Sequence, residues 1–235
     1  MSARPRVALF VTCLVDLVRP RIGFAAAKLI EQSGCEVIVP RAQTCCGQPA
    51  WNAGADKDAQ AIARQVVEAF GEFDYVVAPS GSCAGMIKRH YPDVLKGDAR
   101  ATALAAKTHE LTRFLVDVRG MSTLATPRVK ACYHDSCSGL RELGVRAQPR
   151  KLLGGAVEEL AERDVCCGFG GLFSVKHPQV SERMADDKIA DAEATGAAML
   201  IGGDLGCLLH LEGRMRRQGK AMAVRHIAEV LAGEP

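Results

Sequence analysis

The chain has 235 residues, 48% of them hydrophobic and 24% charged, with 30 Lys and Arg against 27 Asp and Glu. That is enough for one large domain or two ordinary ones, and it excludes a disordered or membrane-spanning chain. A net charge of +3, scattered along the sequence, with only 5% aromatic residues, argues against a nucleic-acid-binding surface.

Taken in order, the sequence alternates strand and helix patterns. Arg6 to Thr12 is a short β-rich run ending at Cys13. Arg4 and Arg6 before the apolar stretch Val7 to Val18 mimic a signal peptide. Asp16 interrupts that stretch, however, and no small-residue cleavage site follows, so a cytoplasmic protein is expected. Arg21 to Gln32 has helical spacing, and Glu36 to Val39 reads as a strand ahead of Cys45-Cys46-Gly47. A helical pattern over Asp56 to Phe70 precedes a strand at Tyr75 to Ala78, then Pro79 and Cys83. Ala99 to Val118 reads as one helix. Gly, Ser, Thr and Pro interrupt the period between Gly120 and Pro127, which divides the chain into residues 1–122 and 123–235. The series then restarts. A strand at Arg128 to Tyr133 leads to Cys137, and a weaker one at Val157 to Leu160 leads to Cys166-Cys167-Gly168. After a helix over Pro178 to Thr195, a strand at Ala198 to Ile201 leads to Cys207. Ala221 to Leu231 closes the chain as a strand and helix.

Eight of the ten cysteines form a repeat. Cys13, Cys45, Cys46 and Cys83 recur as Cys137, Cys166, Cys167 and Cys207, at offsets of 124, 121, 121 and 124 residues. Four cysteines holding register over such a distance indicate duplication. Alternating strands and helices imply a parallel α/β sheet in each half, with each cysteine group just past the carboxyl end of a strand. Ligands of such sheets gather there, and neighbouring strand ends lie about 5 Å apart, so four thiols converge on one small volume. In a reducing compartment this points to metal or redox chemistry rather than to a disulfide scaffold. Four thiolates suit zinc or an iron–sulfur cluster. The sequence has no Cys-x-x-Cys knuckle, and an adjacent pair, whose side chains tend to diverge, is awkward for one tetrahedral ion but can reach different irons of a cluster, which favours iron–sulfur over zinc. Gly47 and Gly168 let the backbone turn closely around a bulky cofactor.

The remaining candidates each have a bland reading. Cys35 and Cys132 lie outside the repeat and are expected in the core. His134 and Asp135, just before Cys137, are either an exposed loop pair or hydrogen-bond partners of the cofactor or substrate. His90, His109, His177, His210 and His226 share no spacing and read as surface or satisfied histidines. Lys176 is expected in solvent. Arg19, Arg21 and Arg141 follow the first cysteine of each half, where an arginine can face the crevice and grip a carboxylate.

The pattern Cys13-x31-Cys45-Cys46-Gly47-x35-Cys83 and its repeat resembles the cysteine-rich CCG domain family. That family includes a subunit of heterodisulfide reductase and the iron–sulfur subunit of glycolate oxidase. The strings FVTCLVD (Phe10 to Asp16), CCGQPAWNAG (Cys45 to Gly54), PSGSC (Pro79 to Cys83), CCGFGGLFSVK (Cys166 to Lys176) and HIAEVL (His226 to Leu231) resemble its lactate-utilization A branch over nearly the whole chain. The resemblance implies an α/β fold of two tandem, pseudo-symmetric, Rossmann-like CCG domains with parallel sheets. It also implies an iron–sulfur electron-transfer subunit of a complex oxidising L-lactate to pyruvate, working with lactate-utilization B- and C-type partners. Its cofactor would be one or two [4Fe-4S] clusters per chain, bound by the eight repeat cysteines. The family's full pattern ends in Cys-x-x-Cys and gives five thiolates. Here Ser80 and Asp204 stand in place of the first cysteine of that pair, leaving four per half, enough for a cubane. Neither a flavin motif nor a Cys-x2-Cys-x2-Cys ferredoxin run is present, so electron source and sink fall to the partners. Two other readings remain open: a zinc-binding assembly or regulatory module without catalysis, and a thiol–disulfide redox subunit of the heterodisulfide-reductase kind.

Overall fold

The computed structural model describes residues 3–233. Two parallel four-stranded sheets carry the fold. The first contains β1 (Arg6–Leu9), β2 (Glu36–Ile38), β3 (Tyr75–Ala78) and β4 (Thr108–Glu110), in the order β2-β1-β3-β4. The second contains β5 (Ala131–His134), β6 (Glu158–Glu159), β7 (Met199–Gly202) and β8 (Ala223–His226), in the order β6-β5-β7-β8. The repeat extends to register. Val7 lies opposite Tyr75 and Ala131 opposite Met199, so both strands of the pair are shifted by the same 124 residues as the outer cysteines.

β1 and β3 are neighbours, while β2 and β4 lie outside them, so the chain reverses its direction of winding between β1 and β3. The same holds between β5 and β7. Such switch points open a crevice at the carboxyl ends of the strands. Helices Arg21–Gln32, Asp56–Phe70 and Pro178–Ala194 agree with the periodicity that predicted them. The first of these buries Ile22, Ala25, Ala26, Leu29 and Ile30 along one stripe, the pattern of a helix laid on a sheet.

The stretch from Ala99 to Val118 is not one helix. The helix stops at Lys107, Thr108–Glu110 forms β4 beside β3, and helical turns resume at Leu111–Arg113 and Phe114–Val118. Apolar side chains at Leu104, Leu111 and Leu115 keep a helical phase across the break, which hides a three-residue strand set by pairing with Val76–Ala78. The buried Glu110 carboxylate then accepts the Arg113 N–H and caps the next turn. β8 and the helix Ile227–Leu231 are the corresponding unit of the second half. There the His226 ring accepts the Ala228 N–H, and Glu229 accepts the His226 N–H.

The halves exchange helices. Arg21–Gln32 of the first half packs on Ile227–Leu231 of the second, and Ala147–Leu152 of the second packs on Leu111–Arg113 of the first. One apolar cluster therefore runs through both, from Leu29 and Ile30 to Leu208 and Ile227. A second cluster, around Phe10, Phe70, Val76 and Leu104, lies in the first half and takes in Leu143 and Val145. Cys35 and Cys132 are fully buried in the shared cluster, as small apolar residues are. Among the described residues, no helix is long and apolar enough to cross a membrane.

Candidate functional site

Each outer cysteine sits in the first turn of a helix that starts just beyond a strand. Thr12 caps the helix Cys13–Val18, its hydroxyl accepting the Val15 N–H at 3.4 Å. Ser80 caps Gly81–Gly85, accepting the Cys83 N–H at 3.3 Å. In the second half, Ser136 caps Cys137–Leu143 and Asp204 caps Leu205–Arg217, accepting the N–H groups of Gly139 and Gly206. β1 and β3 are adjacent, as are β5 and β7, so the capped turns place Cys13 near Cys83, and Cys137 near Cys207, at the switch point of each sheet.

The paired cysteines arrive on the loop after β2 or β6. The Cys13 and Cys45 sulfurs lie 3.9 Å apart, and so do those of Cys137 and Cys166. Gly47 has φ +82° and Gly168 φ +90°, a conformation that other residues rarely adopt, and each turns its N–H onto the first sulfur of its pair, at 3.4 and 3.3 Å. A side chain at Gly168 would also lie 2.6 Å from the Ser181 carbonyl oxygen. The glycine of the Cys-Cys-Gly triplet is thus required by the turn that aims the thiols.

The electrostatics repeat as well. The Cys13 thiol, then the Cys46 thiol, then the Gly47 N–H hold the Cys45 sulfur as a thiolate, lowering it to about 2. Cys166 is lowered to about 2 in the same way by Cys137, Cys167 and Gly168. Their neighbours Cys13 and Cys137 are pushed up, first by donating to that thiolate and then by burial. Protons alone thus favour the thiolate at Cys45 and Cys166, whereas a cation or a cluster of irons favours it at Cys13 and Cys137 as well. Cys46, Cys83, Cys167 and Cys207 are buried and the other four are half-exposed, so each site is closed beneath and open on one side. This donor set fits a thiolate-ligated metal group.

Ser80 and Asp204, equivalent positions of the repeat, meet between the halves. The Ser80 hydroxyl donates to the Asp204 carboxylate at 2.9 Å, and that carboxylate also accepts the Ser82 N–H at 2.9 Å. Capping and this cross-link occupy both side chains, a use that differs from ligation. Asp204→Ala is expected to lower stability by about 1–3 kcal/mol, through loss of a cap and of a buried acceptor, while bound metal per chain stays unchanged. Urea unfolding beside metal analysis checks this, and loss of metal without loss of stability would make Asp204 a ligand.

Around the site, the helix Gly81–Gly85 packs on Cys137–Leu143, and Cys13–Val18 touches Leu205–Arg217. Gly81 and Gly139 allow the first contact, since a Cβ on Gly81 would lie 2.8 Å from the Gly139 Cα. Cys83 of one site and Cys137 of the other therefore ride on helices in direct contact. A crevice of about 350 Å³ opens beside them, lined by Gln48, Trp51 and His90 of the first half and by Cys137, Phe169 and Cys207 of the second. His90 pairs with Glu142 across it at 3.3 Å.

The three arginines are already engaged within the chain. Arg19 pairs with Glu212 at 2.8 Å, Arg21 with buried Glu229 at 2.5 Å, and Arg141 donates to the Asp164 carbonyl. Asp135 is no exposed loop residue: it is buried against Arg150, which grips both its oxygens at 2.7 Å. His134 is buried beside the second site, and burial lowers it to about 4. Lys188, absent from the sequence-based candidates, is buried nearby with its ammonium on the Glu162 carbonyl. Its position in a long, charged helix carries no sequence signal that sets it apart from a surface lysine.

The CCG cysteine-rich domain pattern matches the chain twice, at residues 7–88 and 131–212, each match taking in three strands of one sheet and its four cysteines. The chain is 50% identical over 235 residues to lactate utilization protein A of Geobacillus kaustophilus, covering 96% of this chain and 98% of that one. It is 45% identical to lactate utilization protein A 1 of Bacillus anthracis, over 97% and 98% of the two chains. A hypothetical protein from Helicobacter pylori, 10% identical, shares the fold with a TM-score of 0.68 over all of this chain and half of its own. The chain belongs to the CCG cysteine-rich domain family, and within it to the lactate utilization A proteins.

Proposed function

We propose that the chain is the iron–sulfur electron-transfer subunit of a multi-subunit complex that oxidises L-lactate to pyruvate. One [4Fe-4S] cluster is held by Cys13, Cys45, Cys46 and Cys83 in residues 1–122, and another by Cys137, Cys166, Cys167 and Cys207 in residues 123–235. The observation that carries this reading is the pair of equivalent four-thiol sites joined through the contact of Gly81–Gly85 with Cys137–Leu143. Oxidation of lactate to pyruvate releases two electrons and two protons, and two one-electron centres in one chain match that count. The bound clusters supply the one-electron chemistry. The chain contributes the thiolates, the Gly47 and Gly168 N–H groups aimed at sulfur, and a buried floor that excludes water.

In this reading lactate-utilization B- and C-type subunits supply the primary acceptor and the onward sink; the names of the relatives support companions in lactate utilization. Leu17 and Val39, both exposed, flank Cys13 and Cys45 at the open side of the first site and suit the approach of such a partner. Lactate-dependent dye reduction by the reconstituted complex is expected to need this chain, and the purified chain alone is expected to give none. Turnover of lactate by the chain alone, or an undiminished rate without it, would overturn the proposal.

One distance favours a second reading. Sulfurs 3.9 Å apart are close to the roughly 3.8 Å expected for two thiolates about 2.3 Å from one tetrahedral zinc. In that reading the chain is a colourless zinc module of the complex, and the absence of acid-labile sulfide identifies it.

A further inference from the structure

The two sites share their thiols but differ in what stands beside them. At the carboxyl end of β5, His134 lies opposite Gly202 in register. The equivalent position of the first half, 124 residues earlier, is Phe10, fully buried and packed on Phe70 with ring centroids 5.3 Å apart. The His134 side chain is only 1% exposed, and neither ring nitrogen has a hydrogen-bond partner. A buried imidazole with both nitrogens unpaired is costly. Such an orphan calls for a partner that protein atoms do not provide.

The partner is indicated by distance. A ring nitrogen of His134 and the sulfurs of Cys167 and Cys207 all lie within 4.8 Å of one another. No hydrogen bond links the ring to either sulfur. A shared metal spans such a gap, with about 2.0–2.1 Å to a histidine nitrogen and about 2.3 Å to a thiolate. Phe10 offers the first site nothing comparable.

We propose that His134 is a metal ligand of the second site, sharing its metal group with Cys167 and Cys207, so that the two centres of the chain have different donor sets. The first site is bound by sulfur alone, the second by sulfur and one imidazole. This rests on the proposed binding of a metal group by the second-half cysteines. The second site then has five donors, its four thiolates and His134, against four at the first.

The test uses the full chain, loaded anaerobically with iron and sulfide and labelled with ¹⁵N-histidine, and pulsed EPR of the reduced protein. A directly bound histidine nitrogen is expected in the wild-type spectrum. It should vanish in His134→Phe and in the Cys166→Ser/Cys167→Ser double variant, and persist in Cys45→Ser/Cys46→Ser. Iron in the second half without histidine coupling would overturn the inference and leave the proposed function standing. Unchanged iron in the Cys166→Ser/Cys167→Ser protein would overturn both. Absence of histidine coupling from the labelled wild type overturns the inference even if His134→Phe folds poorly, and His90→Phe and His210→Phe are expected to keep the coupling.

Discussion

Replacing Cys166 and Cys167 together by serine is expected to remove about four of about eight irons per chain, with a matching loss of sulfide. The complementary variant, Cys45→Ser/Cys46→Ser, should remove the other half. The reason is geometric. Each set of four sulfurs converges beyond its own sheet, at the switch point between β1 and β3 or between β5 and β7, and no cysteine is shared between the sets. Losing the paired cysteines takes away the sulfur that the rest of the site holds as thiolate together with its buried neighbour, and two remaining thiols do not retain a cubane. Metal binding is linked to folding, so each double variant should also unfold at lower urea concentration than the wild type. Iron analysis and EPR of both variants check this. A variant with undiminished iron would show that its half is not a cluster site.

The second large effect is steric. Gly81→Val should destabilise the chain by about 3 kcal/mol or more, because the first atom of any side chain there would already collide. A Cβ at Gly81 would lie 2.7 Å from the Ser136 Oγ, 2.8 Å from the Gly139 Cα and 2.9 Å from the Gly139 N. Two of these three are backbone atoms of the opposite half and cannot swing aside. The strain falls on the helix contact that joins Cys83 to Cys137, so surviving protein should also show weakened magnetic coupling between its two centres. Gly213→Ala serves as the control. Gly213 lies within the helix Leu205–Arg217 with no atom near its missing Cβ, and substitution there should be neutral or stabilising by up to about 1 kcal/mol. Equal urea midpoints for Gly81→Val and wild type would mean that the halves do not depend on this contact.

Much of this arrangement is legible in the sequence. The strands before the cysteines are short apolar runs closed by turns, and two helices end where their periodicity ends, at Gln32 and Phe70. Cysteine spacing conveys the duplication because it is set by the lengths of the repeated strand–helix units. Tertiary choices are not legible. β4 hides inside a continuous helical phase, since three residues of pairing with β3 leave no period of their own. Ser80 and Asp204 look like lost ligands until the fold brings positions 124 residues apart within 2.9 Å and shows them as caps. Arginines that resemble carboxylate readers have partners far along the chain, Glu212 and Glu229, that no local pattern reveals. His134 reads equally as a loop residue or a partner of the cofactor or substrate, because the strand that buries it is only four residues long.

Whether each half holds its own iron–sulfur cluster on four thiolates is decided most directly by anaerobic purification, iron and acid-labile sulfide analysis, and EPR of the reduced protein. About eight irons and eight sulfides per chain are expected, with a signal from two interacting centres. Stoichiometric zinc without sulfide would contradict the proposed function, and would leave the paired four-thiol sites as a structural feature rather than an electron path.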